Sequence, residues 1–253
     1  MRPVRLAGTS NLRCLGGYRT TTGLRVKQGI VFRGDSLHHV TEADAQEVLV
    51  RQLGVKDVFD FRTTREVNEA PYHFRGIQHH HVPIGESLLG EYAKSGKSVS
   101  PEVLRGLIQE TYRRRIDRCG AAFGKVFRHM IDTPVGSERA ILFHCTAGKD
   151  RTGLMAALLL HALRVEEDTI LEDYLLTNQL FRRPKRAADR KGGLTLDSAS
   201  LDVLWGVDAA FLRETFRHMN GTYFGVDGYL KSVVGLTESD IDRLGSVLLE
   251  PAG

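Results

Sequence analysis

A ten-residue polar segment in this 253-residue chain joins a short apolar strand pattern to the most apolar helix pattern in the sequence. The strand pattern covers residues 140–144, the helix pattern covers residues 152–163, and residues 144–153 read His-Cys-Thr-Ala-Gly-Lys-Asp-Arg-Thr-Gly. A helix that starts here presents unpaired backbone N–H groups and the positive end of its dipole to the loop before it. The segment therefore predicts an anion-binding site at a strand-to-helix junction.

Strand and helix patterns alternate through the first two thirds of the chain. The strand patterns cover residues 29–33, 55–61, 77–84 and 140–144, and the helix patterns cover residues 41–53, 101–116, 121–130, 152–163, 166–181, 198–219, 228–234 and 238–249. This order predicts an α/β fold, with a central, mostly parallel sheet flanked by helices and a helix-rich C-terminal third. The polar residues 85–100 are expected to form a loop. We expect residues 1–253 to form one domain, in which residues around 165–220 could form a helical lid or insertion.

Composition excludes several classes of protein. Apolar residues at 42% and charged residues at 26% are ordinary globular usage, which excludes a disordered chain, a coiled coil and a collagen-like fibre. No apolar run reaches the ~18 residues of a membrane span, and no secretory signal is expected. Three cysteines are too few for a disulfide framework, so we expect a reduced, cytoplasmic protein, with export by another route left open. The net charge of +4 favours an anionic ligand only weakly.

Each residue type in the segment gains a role when a phosphate lies in its loop. The groups expected to bind the phosphate are the backbone and side chains of Thr146, Ala147, Gly148, Lys149, Asp150 and Arg151. Arg151 can donate to two phosphate oxygens at once, and Gly148 permits a positive φ. Cys145 lies at the bottom of the loop, where the helix dipole, the amides and Arg151 stabilise a thiolate. Thr152 can donate its hydroxyl to this sulfur, and His144 can hold the loop backbone.

The segment resembles the Cys-x5-Arg phosphate-binding loop of the protein tyrosine phosphatase superfamily, in the form typical of the atypical bacterial tyrosine/serine phosphatases. Other segments that resemble this family follow in family order: Asn11 and Arg13 with Gly16 and Gly17, residues 29–33 with Leu37, residues 60–62, 173–178 and 228–230, and residues 235–237. The resemblance covers nearly the whole chain and implies that Asn11 and Arg13 support the loop. Where the family usually carries Asp, this chain has Cys14.

The resemblance implies a two-step hydrolysis of phosphate monoesters that needs no metal and no other cofactor. Cys145 attacks phosphorus and forms a cysteinyl-phosphate, which water then hydrolyses to inorganic phosphate. Arg151 and the amides of residues 146–151 stabilise charge on the equatorial oxygens. The expected substrate is phosphotyrosine in proteins, and phosphoserine and phosphothreonine are further candidates.

Two alternative functions stay open at this point. A phosphoinositide or inositol-phosphate phosphatase would use the same loop, because only the depth of the pocket selects the ester. A phosphate-binding module without activity, a pseudophosphatase, would keep the loop but lack the nucleophile or the arginine, and this chain has both Cys145 and Arg151. No nucleic-acid motif is present, so no nucleic-acid partner is expected. Peripheral contact with a membrane surface stays open but is not the favoured expectation.

The general acid has two candidates. Many tyrosine phosphatases use Asp in a Trp-Pro-Asp loop, and the single tryptophan here, Trp205, is followed by Gly-Val. The family pattern implies Asp150, inside the loop. Asp60, at the carboxyl end of a predicted strand, is the second candidate, and its alternative role is an ion pair with Arg62, Arg33 or Arg13 that braces the loop. The two interpretations of Asp60 carry similar weight.

Other basic residues have a functional and a purely structural interpretation. Lys149 could hold a second phosphate, as on an inositol ring, or could face solvent and screen Asp150. The densest basic run is Arg182, Arg183, Lys185, Arg186, Arg190 and Lys191. That run could form a lid or a docking patch for acidic membranes or substrates, but we favour a solvated face. We interpret Arg113, Arg114, Arg115 and Arg118 in the same way.

Two further features are expected to be structural. In a strand at residues 79–81 only His79 and His81 share a face, and no Cys or carboxylate stands at ligand spacing, so no metal site is expected. For Cys14, a reversible disulfide with Cys145 could protect the nucleophile from oxidation. The favoured interpretation of Cys14 is a small buried residue.

Overall fold

The computed structural model describes residues 3–85, 87–93, 99–183, 190–191 and 194–252. Its strands are β1 (Arg13–Cys14), β2 (Leu24–Val26), β3 (Val31–Gly34), β4 (Val55–Asp60), β5 (Gln78–His81), β6 (Ala140–His144), β7 (Arg190–Lys191), β8 (Leu194–Thr195) and β9 (Leu249–Pro251). The central sheet has five strands in the order β1-β3-β6-β4-β5, and only the β1 pairing is antiparallel. The mostly parallel sheet predicted from the sequence is confirmed.

Helices cover both faces of this sheet. They are α1 (Glu42–Asp44), which continues as a π-helix (Ala45–Gln52), α2 (Thr64–Glu69), α3 (Leu88–Ala93), α4 (Pro101–Arg118), α5 (Gly120–Asp132), α6 (Asp150–Ala162), α7 (Glu167–Leu175), α8 (Thr177–Leu180), α9 (Ser198–Trp205), α10 (Ala209–Tyr223), α11 (Val226–Tyr229), which continues as a π-helix (Leu230–Val234), and α12 (Glu238–Leu248). None of these described helices is long and apolar enough to cross a membrane.

The alternation of side chains along the strands builds two apolar layers. Ile141 and Phe143 of β6 face a large core with α4–α7 and α10–α12, whereas Leu142 faces a smaller core with the π-helix (Ala45–Gln52). The central helix α6 is buried along nearly its whole length, which explains why its sequence is apolar on every side. The helix-rich C-terminal third predicted from the sequence thus completes the larger layer.

Three parallel strands end side by side at one edge of the sheet. Gly34 of β3 and Asp60 of β4 are the register partners of His144, the last residue of β6. The loops that follow these three residues therefore meet at one place. In an open parallel sheet this carboxyl edge is where ligands bind.

Several element boundaries differ from the predictions. The helix predicted over residues 198–219 is two helices, because Asp208 caps α10 with its side chain on the N–H of Ala210 and α9 ends at Gly206. The residues 85–100 include the short helix α3. Helix α2 was not predicted, although Thr63 and Glu66 form a capping box at its start.

Candidate active site

The loop of residues 145–149 connects β6 to α6 and turns tightly at Gly148. The φ of Gly148 is +66°, a value that side chains rarely adopt. A Cβ atom at this position would also lie 2.4 Å from the backbone oxygen of Gly34. Glycine is therefore required at residue 148 for its conformation and for the space it leaves to the neighbouring strand.

The amides of this loop are available for a ligand. Within the described part of the chain, the backbone N–H groups of residues 146–149 donate no hydrogen bond to a protein acceptor. The loop leads directly into the N-terminus of α6, which begins at Asp150. Clustered amides at a helix N-terminus bind an anion, as the sequence predicts for this segment.

Asn11 and Arg33 hold the loop from outside. The side-chain amide of Asn11 donates to the carbonyl oxygens of Ala147 and Gly148, at 3.1 Å each. The Nη2 of Arg33 donates to the Gly148 oxygen at 2.8 Å. Because C=O and N–H point in opposite directions across a trans peptide, these bonds aim the N–H groups of Gly148 and Lys149 the other way.

Asp173 of α7 anchors these supporting residues. Its Oδ1 accepts from Arg13 at 3.0 Å and its Oδ2 accepts from Arg33 at 2.6 Å, and all three side chains are buried. Arg13 also donates to the Oδ1 of Asn11 at 2.6 Å. Against the upward effect of burial, the two arginines lower the pKa of Asp173. Asp173 lies in a segment that resembles the family, but the sequence assigned it no role.

Cys145 lies at the base of the loop, 2% exposed. The Nδ1 of His144 donates to the carbonyl oxygen of Cys145 at 3.0 Å, and the Tyr72 hydroxyl bonds the Nε2 of the same ring. Burial lowers the pKa of His144. Its Nδ1 carries a proton, because the carbonyl oxygen of Cys145 can only accept a hydrogen bond. The Oγ1 of Thr152 is buried and, among the described residues, has no hydrogen-bond partner.

Arg151 forms a bidentate ion pair with Glu66 of α2. Its Nη1 lies 2.7 Å from Oε2 and its Nη2 lies 2.9 Å from Oε1. Thr146 also donates its hydroxyl to Glu66. Against the upward effect of burial, Arg151 holds the pKa of Glu66 well below its usual range, and the pair raises the pKa of Arg151. Glu66 was not predicted from the sequence. The pattern that could have indicated it is the capping box of Thr63 and Glu66, which follows β4.

Asp60 is buried, and both oxygens of its carboxylate accept hydrogen bonds from neighbouring side chains. Arg62 donates from Nε and Nη2 to its two oxygens, at 3.0 Å and 2.7 Å, and His79 lies 3.2 Å away. Against the upward effect of burial, His144, His79 and Arg62 hold the pKa of Asp60 well below its usual range. Arg62 also donates to the carbonyl oxygen of Ala70, behind α2. Asp60 could be the general acid or form an ion pair that braces the loop, and the structure shows the ion pair, with Arg62.

Asp150 is the first residue of α6 and accepts a hydrogen bond from Tyr112 of α4. The Tyr112 hydroxyl lies 2.7 Å from Oδ1 of Asp150 and 2.7 Å from the Tyr174 hydroxyl. Because the Tyr112 proton is used on Asp150, Tyr174 must donate to Tyr112. Burial raises the pKa of both tyrosines well above the usual value, so both keep their protons. The sequence pointed to neither tyrosine.

Lys149 does not face solvent. Its Nζ donates to the carbonyl oxygens of Leu204 at 2.7 Å and Gly206 at 2.8 Å, and only 6% of the residue is exposed. It lies 3.7 Å from Asp150. The ammonium group thus ties the end of α9 to the loop beside Asp150, and the prediction that it faces solvent is wrong.

A cleft of about 300 Å³ opens above these groups. Its charged lining residues are Glu66, Arg115, Lys149, Asp150 and Arg151, and its apolar ones are Ile84, Leu89, Leu107, Ile108 and Leu204. The prediction that Arg115 lies on a solvated face is wrong, because Arg115 is 7% exposed and borders this cleft. Arg113 and Arg114, by contrast, pair with Glu110 on the outer side of α4. Residues 184–189 of the basic run lie outside the described residues.

A second polar cluster lies away from the cleft. Asp57 of β4 is within 2.8 Å of His80 and 3.3 Å of His129, close enough for the three to hold a metal ion. The sequence analysis missed this group because its members come from three separate elements. The Nε of Arg139 lies 3.1 Å from the other Asp57 oxygen, so a metal ion here would face a guanidinium.

Cys14 and Cys145 belong to different sides of the sheet. Cys14 packs against the smaller core, and Cys145 is part of the larger one. Both are free thiols. The Cys14 sulfur accepts hydrogen bonds from the N–H groups of Gly16 and Gly29, at 3.2 Å each. Cys14 is half-buried rather than buried, and these two hydrogen bonds give its sulfur a structural role.

Comparisons with known proteins place the chain among phosphatases. A model described as the tyrosine phosphatase family matches residues 4–250. A protein of Cupriavidus necator named as a tyrosine-protein phosphatase is 33% identical over 240 residues, which cover 93% of this chain and 84% of that protein. Triple specificity protein phosphatase PtpB of Mycobacterium tuberculosis is 30% identical over 281 residues, which cover 96% and 98%. A tyrosine-protein phosphatase of Nostoc commune is 30% identical over 232 residues, which cover 87% and 74%.

Proposed function

The chain belongs to the tyrosine phosphatase family, and we propose that it hydrolyses phosphotyrosine through a cysteinyl-phosphate on Cys145. One observation carries this mechanism. The buried Cys145 lies below a loop whose N–H groups at residues 146–149 have no protein acceptor among the described residues, with Arg151 at the start of the following helix. This arrangement can hold a phosphate and support the thiolate that attacks it.

In the first step, the Cys145 sulfur attacks phosphorus and the bond from phosphorus to the tyrosyl oxygen breaks. The leaving oxygen takes a proton from Asp150, and Arg151 and the loop amides stabilise the equatorial oxygens. In the second step, water gives its proton to Asp150 and attacks phosphorus, and the S–P bond breaks. Thr152 donates its buried hydroxyl to the departing sulfur. Phosphate leaves, and Asp150 is protonated again.

We assign the acid role to Asp150 because its surroundings fit proton transfer and those of Asp60 do not. The Asp150 side chain is 26% exposed and borders the cleft. The Asp60 side chain has no exposure, and Arg62 holds its charged form. A carboxylate kept ionised by a buried guanidinium has no proton to give at neutral pH.

The substrate class follows from the walls of the cleft. Ile84, Leu107, Ile108 and Leu204 offer apolar contact for an aromatic ring above the phosphate site. Phosphoserine and phosphothreonine are further proposed substrates, since one relative is named a triple specificity protein phosphatase. A phosphoinositide headgroup is polar over its whole surface and fits these walls less well.

We further propose that residues 1–253 act as one phosphatase domain in the cytoplasm. The larger core includes Phe143 of the sheet and Phe211 of α10, so the C-terminal third shares the interior of the sheet domain. All three cysteines are free, which suits a reducing compartment. The proposed mechanism needs Cys145 as a reduced cysteine, free to form the thiolate.

The test is phosphate release from phosphotyrosine, phosphoserine and phosphothreonine peptides and from phosphoinositides, with reductant and without added metal. We expect turnover that is fastest on phosphotyrosine and is abolished by Cys145→Ser. The matched control is Cys119→Ser, which changes a cysteine outside the loop and should leave turnover within twofold. Turnover that survives Cys145→Ser would refute the mechanism, and faster release from phosphoinositides would refute the substrate assignment.

A further inference from the structure

Arg115 is a buried cation on the wall of the cleft. It lies in the last turn of α4 and is only 7% exposed, one helical turn after Tyr112. Its Nε donates to the carbonyl oxygen of Gly85 at 3.3 Å, at the cleft side of α4. An arginine at this depth is unusual, since arginine side chains are seldom buried unless they are paired.

Among the residues that the structure describes, the other two cations that line the cleft already have partners. Arg151 is held by Glu66 through two hydrogen bonds, and the Nζ of Lys149 donates to two carbonyl oxygens. For Arg115, no carboxylate oxygen within 4.0 Å is found in residues 3–85, 87–93, 99–183 and 194–252. A buried charge without a counter-ion is costly, so it is kept where a ligand supplies the opposite charge.

The charges around the cleft point to the same ligand. During the first step Cys145 is a thiolate and Asp150 is protonated, so the charged groups are Arg115, Lys149 and Arg151 against Glu66 and the thiolate. These sum to one positive charge, and without Arg115 they would sum to zero. A phosphate monoester is a dianion near neutral pH, and its entry into the cleft is favoured by that extra positive charge.

We propose that Arg115 binds the phosphoryl group of the substrate, together with Arg151 and the loop amides. This inference rests on the proposed function, since it needs a phosphate monoester in the loop of residues 145–151. Arg115 would donate to a non-bridging oxygen on the α4 side of the cleft. It is thus a second phosphate-binding arginine, from a part of the sequence outside the Cys-x5-Arg segment.

The burial of Arg115 favours the phosphoryl group as its ligand over an acidic side chain elsewhere on a peptide substrate. Burial first, and then the charge of Arg151, lower the pKa of Arg115, and the charges of Asp150 and Cys145 act on it in the opposite direction. These groups surround the position of the reacting phosphorus. A carboxylate on a neighbouring peptide residue would meet the mouth of the cleft, whereas Arg115, a residue only 7% exposed, is reached by a group that enters the cleft.

The test is binding of inorganic phosphate, measured by calorimetry on the full chain and on Arg115→Met. Methionine keeps much of the length of the side chain and removes the charge. We expect the Kd of phosphate to rise about tenfold, the loss typical of one charge-assisted hydrogen bond. The KM for a phosphotyrosine peptide should rise to a similar extent. Arg115→Lys, which keeps the charge, should recover most of the lost affinity.

The matched control is Arg113→Ala, which removes an arginine of the same helix that pairs with Glu110 on the surface. It should change the Kd of phosphate by less than twofold. A Kd for Arg115→Met within twofold of the unchanged protein would overturn the proposal. If Arg115→Met does not fold, Arg115→Gln decides, because it keeps an N–H that can donate to the Gly85 oxygen but removes the charge, so the Kd of phosphate should rise about tenfold only if the guanidinium charge binds the phosphoryl group.

This result can be separated from the fate of the proposed function. Phosphate binding is measured without turnover, and turnover is tested separately by Cys145→Ser. A protein that releases phosphate from phosphotyrosine but binds phosphate equally with and without Arg115 would refute only the role of Arg115. A protein that binds phosphate through Arg115 but shows no turnover would refute only the proposed function.

Discussion

Glu66 holds both terminal nitrogens of Arg151, at 2.7 Å and 2.9 Å, before any phosphate is bound. Glu66 is in turn fixed by the capping box that starts α2, where it accepts from the N–H of Thr63. The orientation of the Arg151 side chain is therefore fixed by α2, the helix that follows β4. Preorganised charge of this kind lowers a barrier because no reorganisation is needed during the reaction.

Glu66→Gln should lower kcat about tenfold on phosphotyrosine, since the amide keeps the shape but loses the charge-assisted bonds that orient Arg151. Steady-state kinetics measure this. Glu69→Gln serves as the control, because Glu69 lies in the same helix and pairs only with the exposed Arg65. Equal kcat values for Glu66→Gln and Glu69→Gln would show that Arg151 needs no partner to act.

Asn11→Ala should weaken phosphate binding and destabilise the fold by about 2 kcal/mol, because two buried hydrogen bonds to the loop are lost. Calorimetry with inorganic phosphate and urea unfolding measure the two effects. Asn68→Ala, at an exposed position of α2, should change neither. Loss of stability with unchanged phosphate affinity would mean that Asn11 supports the fold without shaping the loop.

Much of this site could be predicted because it is local in the sequence. The segment of residues 144–153 specifies a strand, a tight turn and a helix start, and the structure places them as the pattern indicates. The alternating strand and helix patterns likewise predicted the α/β sheet. Periodicity and turn chemistry act over a few residues, so they are readable without knowing the fold.

The groups that sequence reasoning missed act over long separations in the chain. Glu66 is 85 residues from Arg151, and Asp173 is 140 residues from Arg33. Arg115 was misassigned for a related reason. It lies in a run with Arg113 and Arg114, and only the rotation of α4 against the sheet turns one of these three toward the cleft. The amino-acid composition of residues 113–115 does not determine how α4 is rotated, so it could not predict which arginine faces the cleft.

The stability of the protein should fall in acid partly through Asp60. Its pKa is held well below the value of about 3.9 for an unfolded chain, so the unfolded state binds the proton more readily. The stabilisation from Asp60 is therefore complete above about pH 5 and is lost progressively as the pH falls below about 4. Urea unfolding of the protein and of Asp60→Asn, from pH 7 to pH 3, measures this. The difference between the two should shrink with acid, and a constant difference would contradict the ion pair with Arg62.

Asp150→Asn should lower kcat at least 100-fold on a substrate with a poor leaving group and remove the basic limb of the pH–rate profile. An unchanged basic limb would rule out Asp150 as the general acid. A phosphate ester with a good leaving group should keep most of its kcat/KM, because kcat/KM reports the first step and a good leaving group needs no proton there. Comparing the two esters on one variant separates loss of the acid from damage to the site.

Tyr112→Phe should move the basic limb toward higher pH without removing it. The Tyr112 hydroxyl donates to Asp150 at 2.7 Å, and a donor to a carboxylate favours its ionised form. The control is Tyr223→Phe, which removes a hydroxyl that donates to the carboxylate of Asp117 at the surface. If the basic limb of the pH–rate profile lies at the same pH in Tyr112→Phe as in the unchanged protein, the hydrogen bond from Tyr112 to Asp150 is absent when substrate is bound.

The central claim is that phosphate passes through Cys145, and trapping the intermediate tests it most directly. The protein is mixed with a phosphotyrosine peptide, quenched in acid within the first turnover and analysed by mass spectrometry after digestion. We predict one phosphate on the peptide that contains Cys145, at a higher level in Asp150→Asn with a substrate that has a good leaving group. Turnover without any phosphate on Cys145, or with phosphate on another residue, would contradict it.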